Sequence, residues 1–179
     1  MALRVCTILF VWWVSVSVLF GEEKLWKAGV AKADITPSEP MWMAGYASRD
    51  KPADGKLMSL WIKVLALEDA DGNRGVIVTS DTLGIPQSIY RNVSATLREK
   101  FGLKPEQIIL SASHTHCGPV LRGALYDAYP LVEKQRMLIE KYSEQLEANI
   151  AETVGKALVE LAPARIAAGQ ECGFCGESS

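Results

Sequence analysis

Residues 76–113 read VIVTSDTLGIPQSIYRNVSATLREKFGLKPEQIILSAS, and this stretch decides the fold. The apolar runs at 76–81 and 107–113 each have the length and composition of a buried strand. Between them, 86–101 repeats an apolar residue every four positions, as an amphipathic helix does: Ile89, Val93, Leu97 and Phe101. Gly102 then supplies a helix stop. The stretch predicts a strand–helix–strand unit with a right-handed parallel crossover.

Strands and a second helix flank this unit. Residues 60–67 (LWIKVLAL) have the composition of a buried strand, and a turn cluster at 69–75 joins them to 76–81 as a hairpin. The other predicted elements are strands at 26–35 and 164–169 and a helix at 130–161. The buried face of that helix is marked by Leu138, Tyr142, Leu146, Ile150, Val154, Leu158 and Leu161. Gly155 is a candidate for a bend, and the order of elements predicts an α/β fold with a mixed β-sheet and flanking helices.

Composition places the chain among globular proteins and argues against a nucleic-acid partner and a three-histidine metal site. The chain has 179 residues, of which 49% are apolar and 22% charged. A net charge of −2 offers no electrostatic footprint for a nucleic-acid partner. The chain has only two histidines, so a metal site made of three histidines cannot be built from it alone.

The N-terminus has the pattern of a secretory signal peptide. One basic residue, Arg4, precedes sixteen uncharged residues at 5–20, and a polar stretch follows. Sixteen residues fall short of the ~20 that span a bilayer. We therefore expect residues 1–21 to be a signal peptide and 22–179 to be secreted or periplasmic. Leu19 and Gly21 make a poor cleavage site, so an uncleaved signal anchor is the alternative.

Residues 111–119 (SASHTHCGP) form the densest chemical segment, and they hold both histidines. In extended backbone, His114 and His116 would point to one side, ~6.5–7 Å apart. That suits one metal ligand beside one imidazole that contacts substrate, or two ligands to one ion if the chain bends at Gly118-Pro119. The alternative is a pair of loop histidines bonded to backbone. Asp81 ends the neighbouring strand, so it should lie close to this loop.

The pattern Ser-x-Ser-His-Thr-His-x-Gly-Pro at 111–119 resembles the histidine motif of neutral (non-lysosomal) ceramidases, which are secreted zinc-dependent amidases. Three other stretches resemble the same family: 28–37 (AGVAKADITP), 43–46 (MAGY) and 78–82 (VTSDT). The resemblance spans residues 26 to about 170 and is strongest at His-Thr-His-x-Gly-Pro.

The resemblance implies hydrolysis of a ceramide-like lipid to a sphingoid base and a fatty acid, with Zn²⁺ as cofactor. It makes His114 a zinc ligand and gives His116 a catalytic role beside the reacting amide, in substrate contact or proton transfer. It places Gly45 in the substrate-binding loop at the entrance. We add Asp81 as an acceptor that orients an imidazole, with a turn or helix N-cap residue as the alternative.

The sequence also departs from the family. Family members supply another histidine, a glutamate and a tyrosine to the zinc from further along the chain, whereas no histidine follows His116 here. We therefore expect 22–179 to be the N-terminal part of a larger, ceramidase-like catalytic domain, with the remaining zinc ligands outside this chain. An inactive or purely binding domain is the alternative. A lipid substrate also implies contact with a membrane surface, and the oligomeric state is not indicated.

Two further features carry competing readings. Cys172 and Cys175 form a Cys-x-x-Cys that suits a terminal disulfide, idle thiols or a redox module, although no helix follows to lower a thiol pKa. The same cysteines with His114 and His116 would make a closed, structural zinc site. Asn92-Val93-Ser94 is a glycosylation sequon, off the apolar stripe of its helix, and an unmodified asparagine on the helix surface is the alternative.

Overall fold

A mixed sheet of five strands and two long helices forms the part of the chain that the structure, a computed structural model, describes: residues 25–167 and 169. In chain order the elements are β1 (Trp26–Asp34), β2 (Trp61–Glu68), β3 (Arg74–Ser80), α1 (Gln87–Phe101), β4 (Ile108–Ala112), α2 (Glu133–Val159) and β5 (Ala162–Ala164). The strand order across the sheet is β4-β3-β2-β1-β5. The predicted α/β fold with a mixed sheet and flanking helices is confirmed.

The strand–helix–strand unit forms as its sequence predicts. β3 and β4 are parallel, and their register runs from Val76 opposite Ile108 to Ser80 opposite Ala112. α1 ends at Gly102, which adopts the left-handed conformation (φ 69°) and donates its N–H to the Arg98 carbonyl. β2 pairs antiparallel with β3, as the hairpin prediction requires.

The helices cover one face of the sheet. Alternate residues of β2 and β3 are buried beneath them, among them Ile62, Val64, Val76 and Val78. α2 packs over β1 and β2 and also contacts α1, and it buries Tyr142, Leu146, Ile150 and Val154. Each large apolar side chain moved from water into this core stabilises the fold by roughly 1.5–3 kcal/mol before entropy is counted.

The predicted stripe on α2 is confirmed in its centre and differs at its ends. Leu138, Leu158 and Leu161 are only partly buried, whereas Ile139 and Ala157 are fully buried. The physical reason is helix geometry: with 3.6 residues per turn, a strict spacing of four drifts by about 40° per step. Over the five steps from Leu138 to Leu158 such a stripe leaves the core-facing side, and neighbouring residues replace it. Leu161 lies beyond the end of α2.

Gly155 serves a close approach and leaves α2 continuous from Glu133 to Val159. A Cβ at this position would lie 2.9 Å from Cζ of Phe101. The glycine therefore lets the end of α1 pack against the backbone of α2.

The last strand begins earlier than predicted. β5 covers Ala162–Ala164, not 164–169, and pairs antiparallel with β1. Pro163 lies inside it, opposite Lys27. An edge strand tolerates proline because one side of its backbone needs no N–H donor.

No helix within residues 25–167 is long and apolar enough to cross a membrane. The predicted leader, residues 1–21, lies outside the described part of the chain.

The core position of Leu146 gives a direct test of this packing, since its side chain is 1% exposed. We expect Leu146→Ala to lower the free energy of unfolding by about 2–5 kcal/mol, because it leaves a cavity between α2 and the sheet. Urea unfolding followed by circular dichroism measures the change. Met137→Ala is the matched control on the same helix: Met137 is 64% exposed, and its loss should cost less than about 0.5 kcal/mol.

Candidate functional site

The parallel strands β3 and β4 end side by side, and the histidine loop begins there. Just past the last strand pair, the Ser113 N–H donates to the Ser80 carbonyl at 2.9 Å. The loop then folds back over the end of β3. The approach is close: a Cβ on Gly118 would lie 3.0 Å from the Asp81 carbonyl oxygen. The expected proximity of Asp81 and the histidine loop is confirmed.

His114 is held in one tautomer by the backbone. Its Nδ1 lies 2.7 Å from the carbonyl oxygen of Leu83. A carbonyl can only accept, so Nδ1 carries the proton, and Nε2 of the neutral ring keeps its lone pair. The residue is exposed, and a metal-binding imidazole is commonly oriented by this kind of bond.

His116 sits next to His114 but in a different environment. Its Nδ1 is buried and has no hydrogen-bond partner among the residues that the structure describes, and its ring meets Tyr46 edge-on with 4.6 Å between ring centroids. The rings of His114 and His116 lie 5.3 Å apart, centroid to centroid. The backbone between them is not extended as assumed from the sequence, since His114 is left-handed (φ 57°). The bend at His114, rather than at Gly118-Pro119, brings the rings together.

Gly45 lies directly against the His116 ring. A Cβ at this position would lie 2.5 Å from His116 Cγ and 2.7 Å from Nδ1, and the backbone has φ 111°. The Gly45 N–H donates to the Tyr129 hydroxyl at 2.9 Å. Both the close approach and the positive φ therefore require glycine here.

Arg49 ties the loop of Gly45 to the histidine loop. Its guanidinium donates to the carbonyls of Met43 (3.2 Å), Ala44 (2.8 Å) and His116 (2.6 Å). It also lies 4.9 Å above the ring of Tyr46. One side chain thus holds both loops through three backbone acceptors.

Sequence reasoning missed Arg49, Tyr129 and the Leu83 carbonyl. Tyr129 lies 84 residues from its partner Gly45, so no local pattern joins the two. The Leu83 contact uses a backbone atom, which carries no sequence signal at all. Only the proximity of Arg49 to the 43–46 motif offered a hint.

Asp81 does not orient an imidazole, as the sequence predicted, but binds the backbone of Trp61. Its Oδ2 accepts the Trp61 N–H at 2.9 Å, and its own N–H donates to the Trp61 carbonyl at 2.9 Å. The orienting bond of His114 comes instead from Leu83. The alternative N-cap role does not form either, since Pro86 precedes α1 and no side chain caps it.

Among the described residues, His114 fits one ligand position of a zinc site. Across residues 25–167 and 169, no group of three or more histidine, cysteine, aspartate or glutamate side chains is placed to hold a metal ion. The tautomer of His114 suits a metal at Nε2. Cys172 and Cys175 lie outside the described residues, so the disulfide, the redox module and the closed zinc site with His114 and His116 stay predictions.

A groove of about 820 Å³ runs along the other side of the histidine loop. Its walls are mostly apolar and come from residues 36–43 and 53–61. Thr115 and Cys117 line it, whereas His114 and His116 do not. Along the loop, therefore, residues that line the groove alternate with the two histidines, which lie outside it.

Asn92 is exposed on α1, and its Nδ2 donates to Oε1 of Glu147 at 3.0 Å. The same carboxylate oxygen pairs with Arg122. Glycosylation of Asn92 stays a prediction and would have to break the contact with Glu147.

Comparison with known proteins places most of the chain in one family. Residues 26–172 match the family described as neutral/alkaline non-lysosomal ceramidase, N-terminal. Neutral ceramidase 2 of Arabidopsis thaliana is 32% identical over 94 residues, 51% of this chain and 12% of that protein. Neutral ceramidase A of Dictyostelium discoideum is 29% identical over 106 residues, 57% of this chain and 15% of that protein.

Solved structures agree with the sequence matches. Neutral ceramidase from Pseudomonas aeruginosa superposes with a TM-score of 0.63 at 28% identity, over 78% of this chain and 22% of that one. A ceramidase complexed with C2 gives the same values. The chain spans less than a quarter of the length of each of these four relatives.

The contact between Gly45 and His116 predicts a local sensitivity to a single methyl group. We expect Gly45→Ala to lower the free energy of unfolding, because the new Cβ meets the His116 ring and a positive φ costs an L-residue about 1–2 kcal/mol. Gly72→Ala is the matched control: its φ is 85°, yet no atom of the described residues beyond its chain neighbours lies within 4 Å of a Cβ there. The Gly45 variant should cost at least about 1 kcal/mol more than the control, from overpacking. Equal costs in urea unfolding would show that the contact is relaxed in solution.

Proposed function

Because the chain belongs to the neutral/alkaline non-lysosomal ceramidase family, we propose that it carries part of the site of a zinc-dependent amide hydrolase. The substrate class is an N-acyl sphingoid amide, which is cleaved to a fatty acid and a sphingoid base. The observation that carries the proposal is the bond between Nδ1 of His114 and the Leu83 carbonyl, since it leaves Nε2 free to bind a metal.

In this proposal His114 is a zinc ligand. Bound zinc supplies a water of lowered pKa and polarises the amide carbonyl. The left-handed backbone and the Leu83 bond fix the ring before any metal arrives, which lowers the entropic cost of binding. A catalytic zinc takes three protein ligands, so the further ligands must come from outside the described residues.

We assign proton transfer to His116. In hydrolysis the C–N bond of the amide breaks and the leaving amine takes up a proton, which a positioned imidazole can deliver. Nδ1 of His116 is buried against the Gly45 loop, so Nε2 is the atom left to exchange a proton with substrate. Arg49 and Tyr46 hold this ring through the backbone carbonyl and an edge-on contact.

Gly45 belongs to the substrate-binding surface in this proposal. The glycine lets the backbone of this loop pack directly against the Cγ–Nδ1 side of the His116 ring, so a substrate amide would reach the ring at its Nε2 edge. Asp81 has a supporting role through β2, because its carboxylate fixes the first N–H of that strand.

A non-catalytic, binding domain of the same fold is the second candidate. One observation favours it: within the described residues, His114 has no companions that would complete a three-ligand metal site. Zinc binding and amide hydrolysis separate the two candidates.

The metal assignment predicts a difference between the two histidines. We expect His114→Ala to weaken Zn²⁺ binding by at least about tenfold, and His116→Ala to leave it within a few-fold, because the Leu83 carbonyl fixes the tautomer of His114 whereas no described residue bonds to Nδ1 of His116. Calorimetric titration of the 179-residue chain with Zn²⁺ measures both affinities, and histidine ring NMR signals report which ring shifts.

A double variant, Cys172→Ser with Cys175→Ser, is the control for a closed site. Unchanged zinc affinity in it excludes a site built with those cysteines, and unchanged affinity in His114→Ala overturns the assignment of His114. A labelled ceramide assay on the same sample tests turnover. We expect none from the chain alone, and efficient hydrolysis without a partner would contradict the need for further ligands.

We further propose export, with residues 1–21 removed as a signal peptide. Expression in a secreting host should release protein into the medium, and N-terminal sequencing should start at Glu22. Recovery of an intact Met1 in the membrane fraction would favour the signal anchor instead. The sequon at Asn92 becomes testable in the same sample, as a mass shift that Asn92→Gln removes.

A further inference from the structure

The sheet has a second face, opposite the one that the helices cover, and this open face carries a row of apolar side chains. The apolar row consists of Val30, Leu65, Ile77 and Ile109, which are direct cross-strand neighbours from β1 to β4. Val30 is 69% exposed and Ile109 is 56% exposed at the two ends of the row, and Leu65 and Ile77 are half-buried between them. Four adjacent apolar side chains in water are unfavourable unless another surface covers them.

The rows on either side of the apolar row differ in character. Successive residues of a strand point to opposite faces, so the open face takes every second residue of each strand. One flanking row is apolar or lacks a side chain: Ala28, Leu67 and Gly75. The other flanking row is polar and contains two cations: Lys32, Lys63 and Thr79. The open face is therefore basic at one end and apolar from its middle to its other end.

The two lysines restrict how this face can be covered. Lys32 and Lys63 are direct cross-strand partners, and like charges placed opposite each other are unfavourable. Two carboxylates lie one row beyond them, and both are already engaged. Asp34 accepts the Thr36 N–H, and Asp81 accepts the Trp61 N–H. A covering surface must therefore not add further cations above the lysine row.

The open face has the area of a specific protein interface. β1, β2 and β3 are 9, 8 and 7 residues long, and β4 lies beside β3. With strands ~4.8 Å apart and ~3.3 Å per residue, these four strands span a face of roughly 500 Å². Two such faces together bury on the order of 1,000 Å², which is where specific interfaces begin.

A second copy of the chain fits this face in one orientation. A two-fold axis along the apolar row places that row on its own copy and stacks each strand antiparallel to itself. The lysine row of one copy then lies over the row of Ala28, Leu67 and Gly75 of the other. The two lysine pairs stay roughly 13 Å apart along the strands. A two-fold axis parallel to the strands would instead put lysine over lysine, which is repulsive.

The two ends of β1 favour a second copy over an unrelated partner. Trp26, 43% exposed, lies on the open face at the start of β1. Leu57 and Met58, fully and 77% exposed, lie in the connection that follows the end of β1 and line a groove with Lys63 of the open face. Antiparallel stacking brings the start of β1 in one copy to the end of β1 in the other. The symmetry therefore gives each of these exposed apolar groups an apolar neighbour twice.

We propose that the open face is the interface of a homodimer, in which the sheets of two copies stack face to face, about 10 Å apart, with antiparallel β1 strands. The histidine loops then lie at opposite ends of the assembly. The dimer requires neither zinc nor turnover, so the inference goes beyond the proposed function and does not rest on it.

The test measures self-association of the 179-residue chain by analytical ultracentrifugation over roughly 1–100 μM. We expect a reversible dimer. Val30→Lys should raise the dimer Kd at least about tenfold, because residue 30 stacks on its own copy and two ammonium groups would meet. The exposure of Val30 makes the variant compatible with the monomer fold, and a circular dichroism melt at low concentration checks this.

A charge swap tests the arrangement itself. Val30→Glu should also dimerise weakly alone, whereas an equimolar mixture of the Val30→Lys and Val30→Glu chains should restore a Kd within a few-fold of the parent. Val159→Lys is the matched control, since Val159 is 83% exposed on α2, away from the open face. We expect its Kd to equal that of the parent chain.

Three outcomes would contradict the homodimer. A monomer at every concentration overturns it and assigns the open face to a different layer of polypeptide. A dimer of unchanged Kd in Val30→Lys also overturns it and places the association on another surface, the chain termini included, since all variants share them. Failure of the mixed chains to associate better than either alone overturns the antiparallel stack. Zinc titration of His114 is independent of each of these results.

Discussion

The parallel pairing of β3 and β4 is the constraint on which the candidate site depends. Parallel strands end at the same edge of a sheet, so the segments that leave Ser80 and Ala112 start next to each other. α1 makes the crossover between them and buries Ile89, Val93 and Leu97 in the shared core. Without this pairing, the Leu83 carbonyl and the ring of His114 would not be brought within hydrogen-bond distance.

On top of this edge, two loops distant in sequence form one rigid unit. The Ala44 N–H donates to the Gly118 carbonyl and the Val120 N–H to the Trp42 carbonyl, both at 2.8 Å. Arg49 adds one bond across to the His116 carbonyl and two within its own loop, and Gly45 lets the loops approach closely enough to bury Nδ1 of His116. This unit has two sides: the imidazole rings lie on one, and Thr115 and Cys117 face the apolar groove on the other.

Much of the fold follows from local pattern. The apolar runs of β2, β3 and β4 and the four-residue repeat of α1 give both the type and the order of these elements, and Gly102 ends α1 where the pattern stops. The differences fall where local pattern carries least information. The ends of α2 deviate because a fixed spacing of four drifts around a helix, and β5 starts at Ala162 because an edge position makes Pro163 acceptable. The local sequence pattern did not predict the bend at His114 either, because a left-handed non-glycine residue needs tertiary support to persist.

The sequence by itself determined the mixed α/β fold, the position of both histidines at a strand end and the resemblance to ceramidases, because these depend on periodicity and on a contiguous motif. Only the tertiary structure decided which groups hold the rings. Leu83, Arg49 and Tyr129 act through backbone atoms or across long sequence separations, and Asp81 is occupied by the N–H of Trp61. Hydrogen-bond partners of this kind are chosen by three-dimensional proximity among groups that any residue can offer, so no spacing in the sequence specifies them.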